Sequence, residues 1–400
     1  MRWRVAAGGF VAAVLVVTGA CGTSGTTAEQ KPESNGTPGV TVGDVDWNQV
    51  ELDMDLDGIV PAGDGFVGTR VSDDAGSSRV REVVVTSPDG VSWTDAAETG
   101  LAPDESVAWT FGDGGPWGAI GQVFGPDDEW FTSDLLFTPD GIGFVRADVP
   151  ADVIGLEGTA GIWTAAVGES GVVALAGTQE AFEGYMGQAG TLGVVALFSE
   201  DLETWEQVQI GWAEPEGFRP IVASHVGFLA VGADQSVFFS PGGREWDEVS
   251  LPVEWETTPA EGTYVGVMGV AGWRDGFVLV TQQPSMVLTS TDGRSWTPAE
   301  TEPLPDFAGG GGNTWALGSS LGALVVSVPF EPAQGGAALF SSDGQTWQTW
   351  STDDPFTWPG GPEYTAMGEP AILLRMENKG QDGPPSGTTL WVGTLNAADA

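Results

Sequence analysis

The sequence predicts an all-β chain made from one unit used repeatedly, on three observations. A short motif recurs six times: SPDGVSW at 87–93, TPDGIGF at 138–144, SEDLETW at 199–205, SPGGREW at 240–246, STDGRSW at 290–296 and SSDGQTW at 341–347. Its closing aromatic returns about every fifty residues, the period of a repeated supersecondary unit. Seven further turns, most holding glycine, lie between apolar runs, and all but the last stand ahead of a motif copy. An unmatched segment near the N-terminus that reads like an outer strand then supplies the strand that the last unit lacks. The fold class that follows is a seven-bladed β-propeller with an N-terminal strand closing the last blade, which leaves only short sheet edges without any disulfide.

Residues 1–20 precede the fold. Arg2 and Arg4 form a positive start, Val5 to Val17 an apolar stretch too short to span a bilayer, and Thr18-Gly19-Ala20 a small-residue approach to Cys21. This reads as a signal peptide. Cys21, the single cysteine, sits where bacterial lipoproteins carry their lipid, and the approach resembles a lipobox except that Thr18 replaces the usual Leu. The expectation is lipidation at Cys21, with secretion of an unmodified chain as the alternative. Residues 21–42 are polar and rich in Gly, Ser, Thr and Pro, a flexible tether. The propeller is expected over 43–397.

Within it, Asp46 to Val50 reads as an outer strand, like WEQV at 205–208 and WDEV at 246–249. The inner hairpins are placed at 59–69, 107–121, 162–177, 220–232, 265–280, 314–328 and 365–374. Each motif follows a strand-like run (VVVTS, LLFTP, VALFS, VFFS, MVLTS, ALFSS), and its Asp-Gly or Gly-Gly reads as a tight hairpin turn. The Ser or Thr and the Asp can bond the turn's own amides, and the aromatic anchors packing between neighbours. TTLWVGTL at 388–395 is a third strand awaiting the N-terminal one.

Fifty-six acids against thirteen bases leave a formal charge of −43. Such a chain repels nucleic acid and anionic head groups, so no nucleic-acid partner is expected. One histidine and one N-terminal cysteine argue against a His-based triad or a His/Cys zinc site. His225 falls in a hairpin turn and reads as a solvent-facing residue. Asp53, Asp55, Asp57 and Asp64 mimic a calcium loop, but the strand expected at 59–62 separates Asp57 from Asp64 by roughly 20 Å, too far for one ion. No cofactor and no metal site is assigned; Asp53, Asp55 and Asp57 leave room for a weakly held divalent cation, against the plainer reading of a solvated acidic edge.

The motifs resemble the Asp-box (BNR) repeat, Ser-x-Asp-x-Gly-x-x-Trp, of sialidase-like β-propellers, over about residues 45–395. All six depart from it by lacking the residue between Asp and Gly, and two lack part of the Asp-Gly pair. The matched positions are Ser87, Asp89 and Trp93; Asp140; Ser199, Asp201 and Trp205; Trp246; Ser290, Asp292 and Trp296; Ser341, Asp343 and Trp347. The resemblance implies that these boxes are structural and lie on the rim opposite any ligand site.

The ligand rim, here called the top, is where the inner strands begin. Equivalent positions there are Trp163, Arg219, Tyr264, Trp315 and Tyr364, with Arg70, Arg79, Arg81 and Arg375 placed in loops on the same rim. Aromatic faces with a few polar groups suit a glycan or small polar ligand; packing against neighbouring blades is the competing account. Longer top loops such as GPDDEWF (125–131), EAFEGYMG (180–187) and DDPFTWPGG (353–361) mix acids with aromatics, suiting a protein or glycan surface. By resemblance, a sialidase would use arginines on a carboxylate and a Tyr–Glu nucleophile. Phe218-Arg219-Pro220-Ile221 is similar to the family's Phe-Arg-Ile-Pro with its last two residues swapped. Tyr264 has Glu261 nearby and Tyr364 adjoins Glu363. The reading is an extracytoplasmic, lipid-anchored binding module for a glycan, small ligand or envelope protein. A sialidase-like exo-glycosidase using Arg219, Tyr264, Tyr364, Glu363 and Arg375 is the alternative, and a purely structural assembly factor a third.

Overall fold

The structure is a computed structural model. It describes residues 45–62, 65–72, 81–109, 118–125, 132, 134–156, 160–178, 194–211, 221–232, 235–255, 266–273, 275–282, 284–300, 312–319, 322–329, 337–349, 364–368, 371–377 and 388–395. The described chain opens with β1 (Val45–Leu52). Four strands then form the first sheet: β2 (Asp55–Ala62), β3 (Gly65–Ser72), β4 (Arg81–Ser87) and β5 (Thr94–Asp95). The second holds β6 (Ser106–Trp109), β7 (Ala119–Phe124), β8 (Asp134–Thr138) and β9 (Val145–Asp148), followed by one helical turn, α1 (Ala151–Ile154). The third holds β10 (Ala160–Gly168), β11 (Gly171–Thr178), β12 (Val194–Ser199) and β13 (Glu206–Val208). The fourth comprises β14 (Ile221–Ser224), β15 (Gly227–Val231), β16 (Val237–Ser240) and β17 (Asp247–Val249). The fifth is β18 (Gly266–Trp273), β19 (Gly276–Gln282), β20 (Met286–Ser290) and β21 (Thr297–Pro298). The sixth is β22 (Gly312–Ser319), β23 (Gly322–Pro329), β24 (Ala337–Ser341) and β25 (Gln348–Thr349). The last sheet joins β26 (Tyr364–Gly368), β27 (Ala371–Glu377) and β28 (Thr388–Leu395) to β1.

Every pairing between these strands is antiparallel. β1 lies along β28 with Trp47 opposite Gly393 and Val50 opposite Leu390, so the sequence's two extremes share a sheet. The core sits in the seams between sheets. Along β11, Val172 and Ala174 join Ile120, Leu135 and Phe137 of the second sheet, while Val173 and Leu175 join Ile221 and Phe238 of the fourth. A strand buried on both faces loses the polar alternation of a half-exposed one, and all eight β11 residues are buried. Four-stranded sheets that bury both faces on their neighbours are propeller architecture.

The six box corners are wider than the two-residue hairpin turns expected. Residues 88–93 separate β4 from β5, and within them only Gly90 has positive φ (74°). The reason lies in the side chains. Ser87 Oγ accepts the Gly90 amide at 2.8 Å, and Asp89 Oδ1 accepts those of Val91 and Ser92 at 2.8 and 2.7 Å. These bonds replace ladder bonds and let the chain loop back, so that Trp93 Nε1 donates to the Gly90 carbonyl at 2.9 Å. Asp201, Asp292 and Asp343 accept two amides in the same way, as does Asp140 in the corner closed by Phe144. The third corner places Leu202 in the left-handed conformation (φ 66°) where the others use glycine, and its side chain is buried beside Ile120, Phe137 and Trp205.

Candidate functional site

Boxes lie at the rim where third strands end, so the opposite rim holds the starts of the inner strands. Three inner strands are irregular there. β2 shifts register between Asp57 and Val60, β10 between Ile162 and Thr164, and β18 between Val267 and Met268's neighbour Gly269. A bulge displaces backbone groups from the ladder and re-aims the chain. In each case a polar group of the preceding sheet takes up a group beside the bulge. The Leu56 amide donates to Thr388 Oγ1 at 2.9 Å, and Gln122 Nε2 donates to the Ile162 carbonyl at 2.9 Å. The Val267 amide donates to Gln235 Oε1 at 2.6 Å. A fourth clip, Thr69 Oγ1 to the Val107 carbonyl at 3.2 Å, ties the first sheet to the second on this rim. These buried or half-buried bonds fix where the inner strands begin on this rim.

The sequence-selected residues fall in several places. Trp163 sits at the β10 bulge, 7% exposed, with its indole packed across Gly177 of β11. Trp315 lies in β22 opposite Val326, and Tyr364 opens β26 opposite Arg375 of β27, which sets those two positions side by side on the top rim. Arg219, Tyr264, Glu261, Glu363, Arg79 and Cys21 lie outside the described residues, as does Asp64. Four placements need correction. Arg70 and Arg375 belong to strands β3 and β27, and Arg81 is the first residue of β4, rather than all lying in loops. Arg70 moreover donates Nε and Nη2 to Asp95 of β5 at 2.8 and 2.9 Å, so its charge is engaged at the sheet's outer edge, and the Asp95 bond raises its pKa further. Finally, β2 begins at Asp55, four residues earlier than expected. Asp55 and Asp57 are therefore extended strand residues opposite Val71 and Thr69, a geometry unlike the tight loop that wraps a calcium ion.

Arg146 of β9 is similarly engaged: it donates to both Glu105 oxygens at 3.0 Å and to Asp134, whose hydrogen bond chiefly raises its pKa. His225 occupies the β14–β15 turn, half-buried, with Nδ1 enclosed and lacking a hydrogen-bond partner among the described residues. No cluster of three His, Cys, Asp or Glu side chains suited to a metal ion occurs among the described residues. At the boxes, backbone amides hold the carboxyls of Asp140, Asp201 and Asp292 below the usual carboxylate range. They are turn fasteners, with their lone pairs already used. The residues sequence reasoning missed are the clips Thr388, Gln122 and Gln235. Their only sequence signal is a polar residue interrupting or edging an apolar strand, which a solvent-facing position produces equally well.

No protein-family model matches the chain, and no curated protein matches it in sequence. Among solved structures it is similar to YCF48 bound to D1 peptide, at 15% identity and a TM-score of 0.45, covering 86% of this chain and 96% of that one. It is also similar to the acylaminoacyl peptidase of Pyrococcus horikoshii, at 8% identity and a TM-score of 0.49, covering 86% of this chain and 52% of that one. A third likeness is to the phage phi92 endosialidase, at 8% identity and a TM-score of 0.38, covering 89% and 70%. Chemistry has to be argued from the site itself.

Proposed function

We propose that the seven sheets are blades of a closed propeller and that the chain is an extracytoplasmic binding module, tethered through Cys21. Its ligand, a glycan, a small polar molecule or an envelope protein, would sit at the mouth where the inner strands begin. The observation that carries this reading is the set of side-chain clips across the top seams, Thr388 to Leu56, Thr69 to Val107, Gln122 to Ile162 and Gln235 to Val267. A mouth whose edges are fixed before a ligand arrives loses little conformational freedom on binding. Trp315 and Tyr364, with Arg219 and Tyr264 at equivalent positions of the sequence, would supply its contacts, while Trp163, buried against Gly177, would shape the site without touching the ligand.

One juxtaposition favours the second reading, a sialidase-like glycosidase. The backbone pairs Tyr364 with Arg375 across strands, and in sequence Glu363 precedes that tyrosine. A panel of fluorogenic sialosides alongside a glycan array separates the two. Glycan binding without turnover, weakened by Trp315→Ala, is the expected result. Turnover abolished by both Arg219→Ala and Tyr364→Phe would replace binding with catalysis, and neither binding nor turnover would leave the mouth without a glycan role. Tethering is tested by Cys21→Ala, which should release the chain into the medium; unchanged membrane retention would refute it. For ring closure, deleting 43–52 should cost far more stability than deleting 22–40, and equal effects would refute that closure.

A further inference from the structure

The rim opposite the mouth carries a second surface. The residue after the left-handed position of each box is Val91, Ile142, Glu203, Arg244, Arg294 and Gln345 in turn. In the fourth and fifth sheets this residue crosses the seam. Arg244 donates to Glu200 and Glu206 and lies 4.3 Å over the Phe198 ring; Arg294 meets Asp247 at 2.7 Å and lies 5.2 Å from the Phe239 centroid. In the first two sheets the same position is apolar and open, with Val91 43% and Ile142 78% exposed. The residue after each box aromatic repeats the contrast: Thr94, Glu206, Asp247, Thr297 and Gln348, but Val145 in the second sheet, 50% exposed.

These three are the exposed large hydrophobic side chains among the described residues, and all belong to two adjacent corners. Exposed Pro88 and Pro139 flank them. The second corner leans on the first sheet, because a Cβ on Gly141 would meet Thr86 Cγ2 at 3.7 Å, two residues before Pro88. An isolated exposed valine needs no explanation. Three on neighbouring copies of a repeat, where other copies carry charge or polar groups, set these two corners apart from the rest.

We propose that the corners of the first two sheets are a docking surface for a protein segment bearing an apolar anchor flanked by basic side chains. Charge selects the occupant. The exposed carboxylates Asp89 and Asp140 border the patch, while its neighbouring cation, Arg146, is already shared between Glu105 and Asp134. A second copy of a chain with net charge −43 would set the same acids against each other across a two-fold contact, whereas a basic partner meets them favourably.

The test uses the full chain and three labelled peptide probes read by fluorescence anisotropy at physiological salt: Leu-Phe-Leu between lysine pairs, the same core between glutamate pairs, and Ser-Gly-Ser between lysine pairs. The first should bind, and the other two should bind at least tenfold more weakly. The double variant Val91→Arg with Ile142→Arg, which copies the fourth and fifth corners, should weaken the first probe at least tenfold. Gln345→Arg, which adds one such charge at the equivalent place on the sixth corner, should leave it unaltered. Equal binding of the anchor-free basic probe, an equal loss in Gln345→Arg, or no binding of the first probe would overturn the proposal. So would sedimentation showing a dimer that Ile142→Arg dissociates, since the patch would then belong to a second copy.

Discussion

Replacing Asp292 tests whether the box carboxylates hold the fold's corners. Asp292 Oδ1 accepts the amides of Arg294 and Ser295 at 2.8 and 2.6 Å, Oδ2 accepts the Ser295 hydroxyl at 2.9 Å, and Ser290 Oγ donates at 3.2 Å. Asp292→Ala frees two amides that face water, much as loss of a helix N-cap does, so the expected cost is about 1–2 kcal/mol. Asp292→Asn retains an acceptor without its charge and should cost about half as much. With unfolding entropy near 2.1 cal/mol/K per residue over a fold of roughly 350 residues, a loss of ~1.5 kcal/mol lowers the melting temperature by about 2 °C. The Ser295 amide chiefly holds the carboxyl pKa below its usual range, slight burial opposes it, and the Arg294 amide adds to it. A folded-state pKa below the unfolded one of ~3.9 means that the charge's contribution is fully present above that value and disappears as pH falls through the folded pKa. Scanning calorimetry of wild type and Asp292→Asn should therefore show a gap near pH 7 that narrows as pH falls below the unfolded carboxylate's pKa and is lost once the folded carboxyl is protonated. A gap of the same size in acid, or an alanine variant melting with wild type, would refute the reasoning.

Two substitutions at positive φ should act in opposite directions. Glu98 (φ 54°) is exposed, so Glu98→Gly should stabilise by roughly 0.5 kcal/mol as relief of left-handed strain outweighs glycine's entropy. Leu202→Gly relieves the same strain but empties a buried site, and should destabilise by about 2 kcal/mol; urea denaturation reads both, and like signs would contradict the account. Gly243→Ala puts a Cβ 2.5 Å from Phe198 Cδ2 at φ 82°, and thermal melting should show a loss of about 2–3 kcal/mol, with an unchanged melt contradicting that contact.

The repeated architecture was legible because its corners demand particular chemistry. A turn that spends a Ser or Thr, an Asp and a left-handed residue leaves those residue types at fixed spacing, so the corners were readable even with Phe144 for Trp, Gly242 for Asp and Leu202 for Gly. β1 was legible through DWNQV beside WEQV, and the structure pairs it with β28. What stayed hidden is set by contacts between sheets. The β10 bulge depends on Gln122 reaching Ile162 from forty residues away, and no local pattern around Trp163 announces it. Arg70 gave the same difficulty: strand and loop arginines look alike in sequence, and only the sheet's width brings Asp95 to it. The early start of β2 was masked by three aspartates, which argue for a loop on composition while the ladder with β3 holds Asp55 and Asp57 extended.

The pairing of β1 with β28 also governs when the molecule can be finished. Val45 leaves the ribosome long before its partner Leu395 does, so β1 waits through the synthesis of nearly all the rest. Until then its Val50 and Leu52 lack the Leu390 and Val392 part of their core cluster, and the final sheet stands one strand short. Folding thus ends with a single very long-range closure, slow by the entropy of joining distant ends, and a chain cut short anywhere before residue 388 never reaches it.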